Sequence, residues 1–267
     1  MIVRRRHVLK AGLAALVLTG VPDRRTSMAA SLVRDREAAA VAPRWCMVVD
    51  MATLHGKPSL LDAAIAACHA AHNVPDIPQA AARESGHFRS APVPDRSVAW
   101  MRAETPDRAF HGDVPLLPAA LSAMALPVLC NHCDNPPCVR VCPTGATFQD
   151  AENRVVMDPH RCIGCRYCMA ACPYGARSFN FMDPAPYVAS PNPDYPLRQR
   201  GVVEKCTFCP ERTAMGELPW CVEAAPEVFY YGNLRQEDGI LQALFRNRPL
   251  WRRKPHLGTE PAVYYAL

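Results

Sequence analysis

Hydrophobic residues occur in short runs along this chain, and the runs predict few and short regular elements. Residues 44–50 form a mostly apolar run that is typical of a buried strand. Residues 60–71 carry apolar side chains at the spacing of one helix face, at Leu61, Ala64, Ile65 and Cys68. The remaining patterns predict strands at 98–102, 154–158, 178–181 and 201–205, a helix at 240–245 and an extended tail at 262–267.

Proline interrupts the chain between these elements. The sequence has 27 prolines against 13 glycines, and prolines cut residues 73–127 into short extended pieces. Regular hydrogen-bonded elements alone would not hold such a chain in one conformation. The number of cysteines, 13, is far above ordinary usage, so we expect the cysteines to hold the fold together.

Size and charge narrow the class of protein further. With 267 residues, 49% of them hydrophobic, the chain is long enough for one large or two small domains with a core. The net charge is +5, but the basic residues are dispersed apart from an N-terminal cluster and residues 252–254. We therefore expect no nucleic-acid partner.

The first thirty residues have the pattern of an export signal. A basic segment at residues 4–10 precedes an apolar run at 11–21 that is too short to span a bilayer, and small residues follow at 27–30. Arg5 and Arg6 fit the twin-arginine pattern, which predicts export of the folded protein to the periplasm. The alternative is an ordinary secretory signal. No other stretch has eighteen uninterrupted apolar residues, so the mature chain is not expected to span a membrane.

Residues 162–173 contain the clearest chemical motif. They read C-x-x-C-x-x-C-x-x-x-C-P, the ligand run of bacterial two-cluster ferredoxins, with cysteines at 162, 165, 168 and 172. Three closely spaced thiolates hold one cubane cluster, and Gly164 lets the backbone approach its sulfides. In such proteins the fourth cysteine ligates the other cluster of the pair.

A second, looser copy of the motif begins at residue 130 and ends in a proline at 143. Exchanging the fourth cysteines of the two copies gives two complete [4Fe–4S] sites. We call them site I, formed by Cys130, Cys133, Cys138 and Cys172, and site II, formed by Cys162, Cys165, Cys168 and Cys142.

The other cysteines form two incomplete groups. Cys206, Cys209 and Cys221 precede Ala225 at the position where a fourth cysteine should stand. Near the N-terminus only Cys68 remains, and ferredoxin spacing counted backwards from it reaches Ala64. The two earlier positions fall on Leu61 and, by a looser count, Leu54.

Exchanging the fourth ligand positions of these two groups as well explains all the missing cysteines by the loss of a single cluster site. It gives an intact site III, formed by Cys206, Cys209, Cys221 and Cys68, and a vacated site formed by Leu54, Leu61, Ala64 and Ala225. Three [4Fe–4S] clusters then use twelve cysteines and leave Cys46 as a small core residue. The alternative for site III is a three-iron cluster with Cys68 merely buried in a helix.

Other uses of the cysteines fit the spacing less well. A zinc-stapled scaffold would need neither the third closely spaced cysteine nor the repeated proline. Structural disulfides fit C-x-x-C pairs and an odd cysteine count badly. No C-x-x-C-H motif for covalent haem occurs, and no nucleophile–base pair stands out, so no catalytic centre is expected in the chain itself.

Several segments resemble a known family. The cysteine segment 129–144 is similar to iron–sulfur subunits that accompany periplasmic molybdoenzymes and quinone-reactive membrane complexes, the polysulfide and dimethyl sulfoxide reductase type. The resemblance covers residues 44–267. The segments 68–75, 161–166, 201–206 and 258–265 most resemble the periplasmic ferredoxin-like subunit of the membrane complex associated with dissimilatory sulfite reductase.

The resemblance implies an electron relay in sulfur metabolism, docked on a polytopic quinone-interacting membrane subunit beside a periplasmic multihaem cytochrome c. A subunit of a molybdopterin oxidoreductase or hydrogenase is the alternative. The expected fold is α+β, with two ferredoxin-like modules and long proline-rich insertions. Residues 128–182 form one module, and residues 44–127 together with 183–267 form the other.

Overall fold

The computed structural model describes residues 42–77, 97–110, 121–236 and 240–267. The export signal predicted at residues 1–30 lies outside these ranges, as does much of the proline-rich stretch between residues 73 and 127.

Helices and strands are short, as the sequence pattern predicts. The helices are α1 (Met51–Gly56), α2 (Ser59–Ala71), α3 (Pro106–Phe110), α4 (Pro137–Arg140), α5 (Tyr167–Ala171), α6 (Pro210–Thr213), α7 (Trp220–Ala224) and α8 (Ile240–Asn247). The strands are β1 (Trp45–Asp50), β2 (Met101–Glu104), β3 (Leu126–Leu129), β4 (Thr147–Gln149), β5 (Val155–Met157), β6 (Ser178–Phe179), β7 (Val203–Glu204), β8 (Phe229–Asn233), β9 (Leu250–Trp251) and β10 (Val263–Ala266).

A four-stranded sheet with the order β8-β1-β10-β9 organises the fold. Strand β1 pairs antiparallel with β8 and parallel with β10. Met47 and Val49 face the main core, whereas Cys46 and Val48 face a second core that includes Leu241 of α8. Because both faces of the sheet are covered, β1 reads as a continuous apolar run rather than an alternating one.

Three two-stranded antiparallel sheets lie in and beside the cysteine-rich part of the chain. They are formed by β2 with β3, β4 with β5, and β6 with β7. The sequence pattern predicted a strand that starts at Val98, but strand β2 begins only at Met101. The reason is that the backbone N–H and C=O of Ala99 both hydrogen bond to the Ser178 hydroxyl, at 3.0 Å each.

Helix α2 connects the sheet to the cysteine loops. Its buried face carries Leu61, Ala64 and Cys68 and packs against α7, which carries Cys221. The described residues from Pro43 onward form one compact unit. Helix and strand are therefore mixed within a single body around the cysteines.

Asp50 joins the sheet to α1 and gives a test of stability. Its carboxylate caps α1 by accepting the Thr53 N–H at 2.9 Å and pairs with the Arg248 guanidinium. Burial alone would raise the pKa of Asp50, but the hydrogen bonds from Arg248 and Thr53 outweigh it and lower the pKa. Losing the cap and the ion pair in Asp50→Ala should cost about 2 kcal/mol of unfolding free energy at pH 7.

The pH dependence follows from the direction of that shift. A lowered pKa in the folded state gives stability that is present above the unfolded pKa of about 4 and is lost as pH falls through the folded pKa. Denaturant unfolding from pH 7 down to about pH 2 should therefore show the difference between Asp50→Ala and the unsubstituted protein shrinking below about pH 4. Asp62→Ala, at an exposed position of α2, is the control. An equal loss in both variants would contradict the role of the cap.

Candidate iron–sulfur sites

The four cysteines of site II line one pocket. It encloses about 280 Å³ of empty space, and Thr144, Ile163 and Arg166 also border it. Cys142 comes from the loop after α4. The fourth cysteine of the looser motif therefore lies in the pocket of the tighter motif. Gly164, at φ +70°, lies so close to the Gly201 carbonyl oxygen that a Cβ would approach it to 2.5 Å. Any side chain at position 164 would therefore distort this loop.

The four cysteines of site I line a second pocket of about 300 Å³. Burial, with the neighbouring thiols of Cys130 and Cys172 adding to it, raises the pKa of Cys133 to about 12. Arg177 and Tyr174 complete the wall of the pocket. Cys172, the fourth cysteine of the tighter motif, thus lies in the pocket of the looser one.

The cysteines of site III come from segments far apart in the sequence. Cys68 lies on α2, Cys221 on α7, and Cys206 and Cys209 in the loop between β7 and α6. Burial raises the pKa of the Cys68 thiol, and the charges of Cys221, Cys206 and Cys209 raise it further. The structure therefore brings Cys68 beside the three cysteines with which the exchange pairs it.

One backbone feature recurs in the first C-x-x-C loop of each site. The residue before the second cysteine has a positive φ, at 41° for His132, 70° for Gly164 and 64° for Phe208. A left-handed residue at this point turns successive backbone N–H groups toward a common centre, which is how anionic groups are held by main chain. The rings of His132 and Phe208 also stack at 3.7 Å, so these equivalent residues join two of the loops.

The chemistry of these pockets fits iron–sulfur clusters. Each places four sulfur donors around a small space, and burial raises the pKa of most of the thiols, including that of Cys221 to about 12. Buried thiols bind as thiolates only where a positively charged metal core compensates them. A cubane with four irons supplies that charge and matches four sulfur ligands.

Comparison with known proteins agrees with this chemistry. The model of a 4Fe-4S dicluster domain matches residues 121–233. The chain is 34% identical to iron–sulfur subunit 1 of the Hdr-like menaquinol oxidoreductase of Archaeoglobus fulgidus, over all of this chain and 98% of that protein. This chain belongs to the family of iron–sulfur electron-transfer subunits.

Two further relatives extend the comparison. The iron–sulfur cluster-binding subunit of menaquinone reductase from Nitratidesulfovibrio vulgaris is 31% identical over 83% of this chain and 88% of that protein. Protein NrfC of Escherichia coli is 41% identical, over 51% of this chain and 54% of that protein. The prediction of iron–sulfur clusters and of an electron-transfer function is thereby confirmed at the level of the family.

The three sites of this iron–sulfur subunit are neighbours in a defined order. Cys138 of site I lies in one buried cluster with Cys168 of site II, and Cys130 of site I belongs to the main core together with Cys206 of site III. Burial raises the pKa of Cys168 and of Cys206, and the thiols of Cys138 and Cys130 respectively add to that effect. Site I therefore lies next to both of the others. Ligand spacing contains no information on this order, because it does not determine how the pairs of sites are placed.

A buried cation accompanies each pair of neighbouring sites. Arg177 bonds to Thr147 and interacts with cysteines of sites I and II, whose charges raise its pKa against the effect of burial. Lys205 donates to the carbonyl oxygens of Val155 and Cys206 and lowers the thiol pKa of cysteines in sites I and III. Sequence reasoning missed both residues.

The four residues of the vacated site lie in the core. Leu54 and Leu61 are 1% and 3% exposed, and Ala64 and Ala225 are fully buried. They belong to the same core cluster as Cys68 and Cys221. Aliphatic side chains thus occupy the interior beside site III where the sequence pattern would place a fourth set of ligands.

His72, which the sequence analysis did not single out, contacts site III. Its Nδ1 bonds to the Cys68 carbonyl oxygen at 2.7 Å. Its Nε2 lies 3.1 Å from a carboxylate oxygen of Glu211 and 3.6 Å from Cys209 Sγ, and its ring stacks on Trp100 at 4.3 Å. The signal that could have identified it is its position one helical turn after Cys68.

Cys46 stands apart from the three sites. It lies fully buried on β1 in the second core, and burial raises its pKa to about 12.

Within the described ranges of the chain, no helix is long and apolar enough to cross a bilayer.

Proposed function

We propose that this chain carries electrons through three [4Fe–4S] clusters between a quinone-interacting membrane subunit and a redox partner in the periplasm. The observation that carries the proposal is the succession of three four-cysteine sets, with site I between sites II and III. The twelve proposed ligands are Cys130, Cys133, Cys138 and Cys172, Cys162, Cys165, Cys168 and Cys142, and Cys206, Cys209, Cys221 and Cys68.

The names of the relatives support the membrane partner. The relatives that match most of the chain are subunits of a menaquinol oxidoreductase and of a menaquinone reductase. A quinone is oxidised or reduced within or beside the bilayer, so a chain with this role needs a membrane subunit to meet it. A multihaem cytochrome c is the periplasmic partner that the family resemblance suggests.

The vacated site supports a role within sulfur metabolism over one beside a molybdoenzyme. Aliphatic residues fill the position next to site III, where a four-cluster relative would carry its outermost cluster. A row of clusters that lacks this outermost cluster fits the complex associated with dissimilatory sulfite reductase. The twin-arginine pattern supports export after folding, since clusters must be inserted before the chain crosses the membrane.

The two-module architecture belongs to the same proposal. The pockets of sites I and II use only residues between 130 and 203. Site III and the vacated site use segments on both sides of that region. An ancestral pair of two-cluster modules, one of which has lost a cluster, accounts for both sets.

Iron analysis of the full chain purified without oxygen together with its membrane subunit tests the proposal. We expect about twelve irons per chain, in three four-iron clusters, and reduction of the clusters on addition of a menaquinol analogue. A colourless protein with zinc and without iron would refute it. Sixteen irons would show that the vacated site is filled, and copurification with a molybdopterin subunit would favour the alternative partner.

A further inference from the structure

Site II is the most exposed of the three sites. Cys165 is exposed and Cys142 and Cys162 are half-buried, whereas every cysteine of site III is buried. Electron transfer between proteins weakens steeply with distance, so the cluster nearest the surface is where a partner exchanges electrons. Since site II lies next to site I, it forms one end of the proposed conductor.

Apolar side chains surround the exposed cysteine. Ile163 is 67% exposed, Tyr167 is 62% exposed and Val141 is 37% exposed, and each is a direct sequence neighbour of a site II cysteine. Single exposed apolar residues are common, but three beside one metal site form a patch typical of an interface. Met157 lines both the site II pocket and an adjoining groove of about 740 Å³ that includes Leu197.

Basic side chains surround this patch. Three exposed arginines stand beside it, at Arg140, Arg161 and Arg166. Arg166 lies over the rings of Phe179 and Phe181, at 5.4 and 5.7 Å.

Three carboxylates lie between these arginines in the sequence, at Asp150, Glu152 and Asp158. Asp150 and Glu152 pair with Arg154, and Asp158 accepts the backbone N–H of His160 at 2.9 Å. Among the described residues no carboxylate is ion-paired with Arg140, Arg161 or Arg166, so no ion pair neutralises the guanidinium groups of the rim.

We propose that this face, formed by Val141, Ile163 and Tyr167 with the rim of Arg140, Arg161 and Arg166, docks a redox protein whose own face is apolar at its centre and carboxylate-rich at its rim. Tyr and Arg are the residues that dominate binding energy at such contacts, and charge complementarity speeds association. One electron passes between the partner's centre and the cluster of site II, so that one is oxidised as the other is reduced. This inference rests on the proposed function.

The site III end has the opposite charge. Its exposed apolar residues are Met215, Leu218 and Trp220. Glutamates at 211, 217, 223 and 227 outnumber the one arginine, Arg212, in this stretch. A surface that attracts the site II face should therefore repel the site III face, which makes the two ends separable in one experiment.

Voltammetry of the full chain with its clusters on coated gold electrodes tests the docking face. One coating mixes carboxylate-terminated with methyl-terminated thiols, as a model of the partner's surface, and the other replaces the carboxylate with ammonium. Arg140→Glu combined with Arg166→Glu should slow electron transfer on the carboxylate coating about tenfold at low salt, and should not slow it on the ammonium coating, which attracts the new carboxylates. The rate for the unsubstituted chain on carboxylate should fall as salt rises.

Arg235→Glu combined with Arg246→Glu is the matched control. It makes the same change in charge at two exposed arginines, and α8, which carries Arg246, covers the other face of the sheet. Equal slowing by the control pair, or no slowing by the site II pair, would overturn the docking face. If the site II pair lowers the iron content, Ile163→Asp replaces it, because that side chain extends into solvent. If the clusters gave no voltammetric signal on either coating, that result would instead refute the proposed function.

Discussion

Cys68→Ser should lower the iron content of the chain from about twelve to about eight atoms, the loss of one complete four-iron cluster. The Cys68 thiol lies among those of Cys206, Cys209 and Cys221, and a buried cluster with three thiolates and a hydroxyl would be poorly held. Cys206→Ser should remove the same signals from the electron paramagnetic resonance spectrum of the reduced protein. Iron analysis and spectra of the two variants, prepared identically, check this.

Cys46→Ser is the control for this pair of variants. Cys46 is as buried as Cys68 but lies in the second core, so its replacement should leave about twelve irons and an unchanged spectrum. Signals of two different clusters lost in Cys68→Ser and Cys206→Ser would contradict the pairing. A change to a three-iron signal in Cys68→Ser would show that the other three cysteines still hold a smaller cluster.

Lys205→Met should make the reduction potentials of the clusters in sites I and III more negative. Lys205 is buried and acts electrostatically on cysteines of both sites, and its positive charge stabilises the extra electron of a reduced cluster. At a separation of roughly 8 Å and an effective dielectric constant of about 20, the lost interaction is about 2 kcal/mol. For the one-electron reduction of a cluster that corresponds to a decrease on the order of 90 mV, measurable by redox titration.

The site II cluster serves as an internal reference, because Lys205 lies between the other two sites. Lys57→Met is the matched control, since its side chain is 54% exposed and pairs with Glu227 at the surface. All three potentials should stay unchanged in that variant. A uniform shift of the three clusters in Lys205→Met would indicate a general loosening of the fold in place of a local charge effect.

Local sequence patterns predicted the cysteine loops and several elements, but not the sheet. Strand β1 and helix α2 are close to the predicted ranges because their apolar spacing is a local signal. The parallel pairing of Met47 with Val263 joins residues at opposite ends of the chain, and no local pattern encodes such a partner. Strand β8 was missed altogether.

In the candidate sites, too, local patterns predicted some residues and missed others. Ligand spacing suggested which cysteines share a pocket, because it reflects the geometry of a cubane. The spacing contains no information on Arg177, Lys205 or His72, which reach the sites from other elements. Buried cations and a histidine within a tertiary arrangement resemble ordinary polar residues in the sequence.

The parallel pairing of β1 with β10 also sets the timing of biogenesis. During synthesis the ribosome makes all the residues that line sites I and II before it makes Cys206, so these pockets are complete in sequence before site III. Site III needs Cys68 and Cys221 together, and the sheet that supports α2 needs the last residues of the chain. Site III can therefore form only after the residues of sites I and II have been made, and its helix α2 rests on a sheet that is completed later still, by β10.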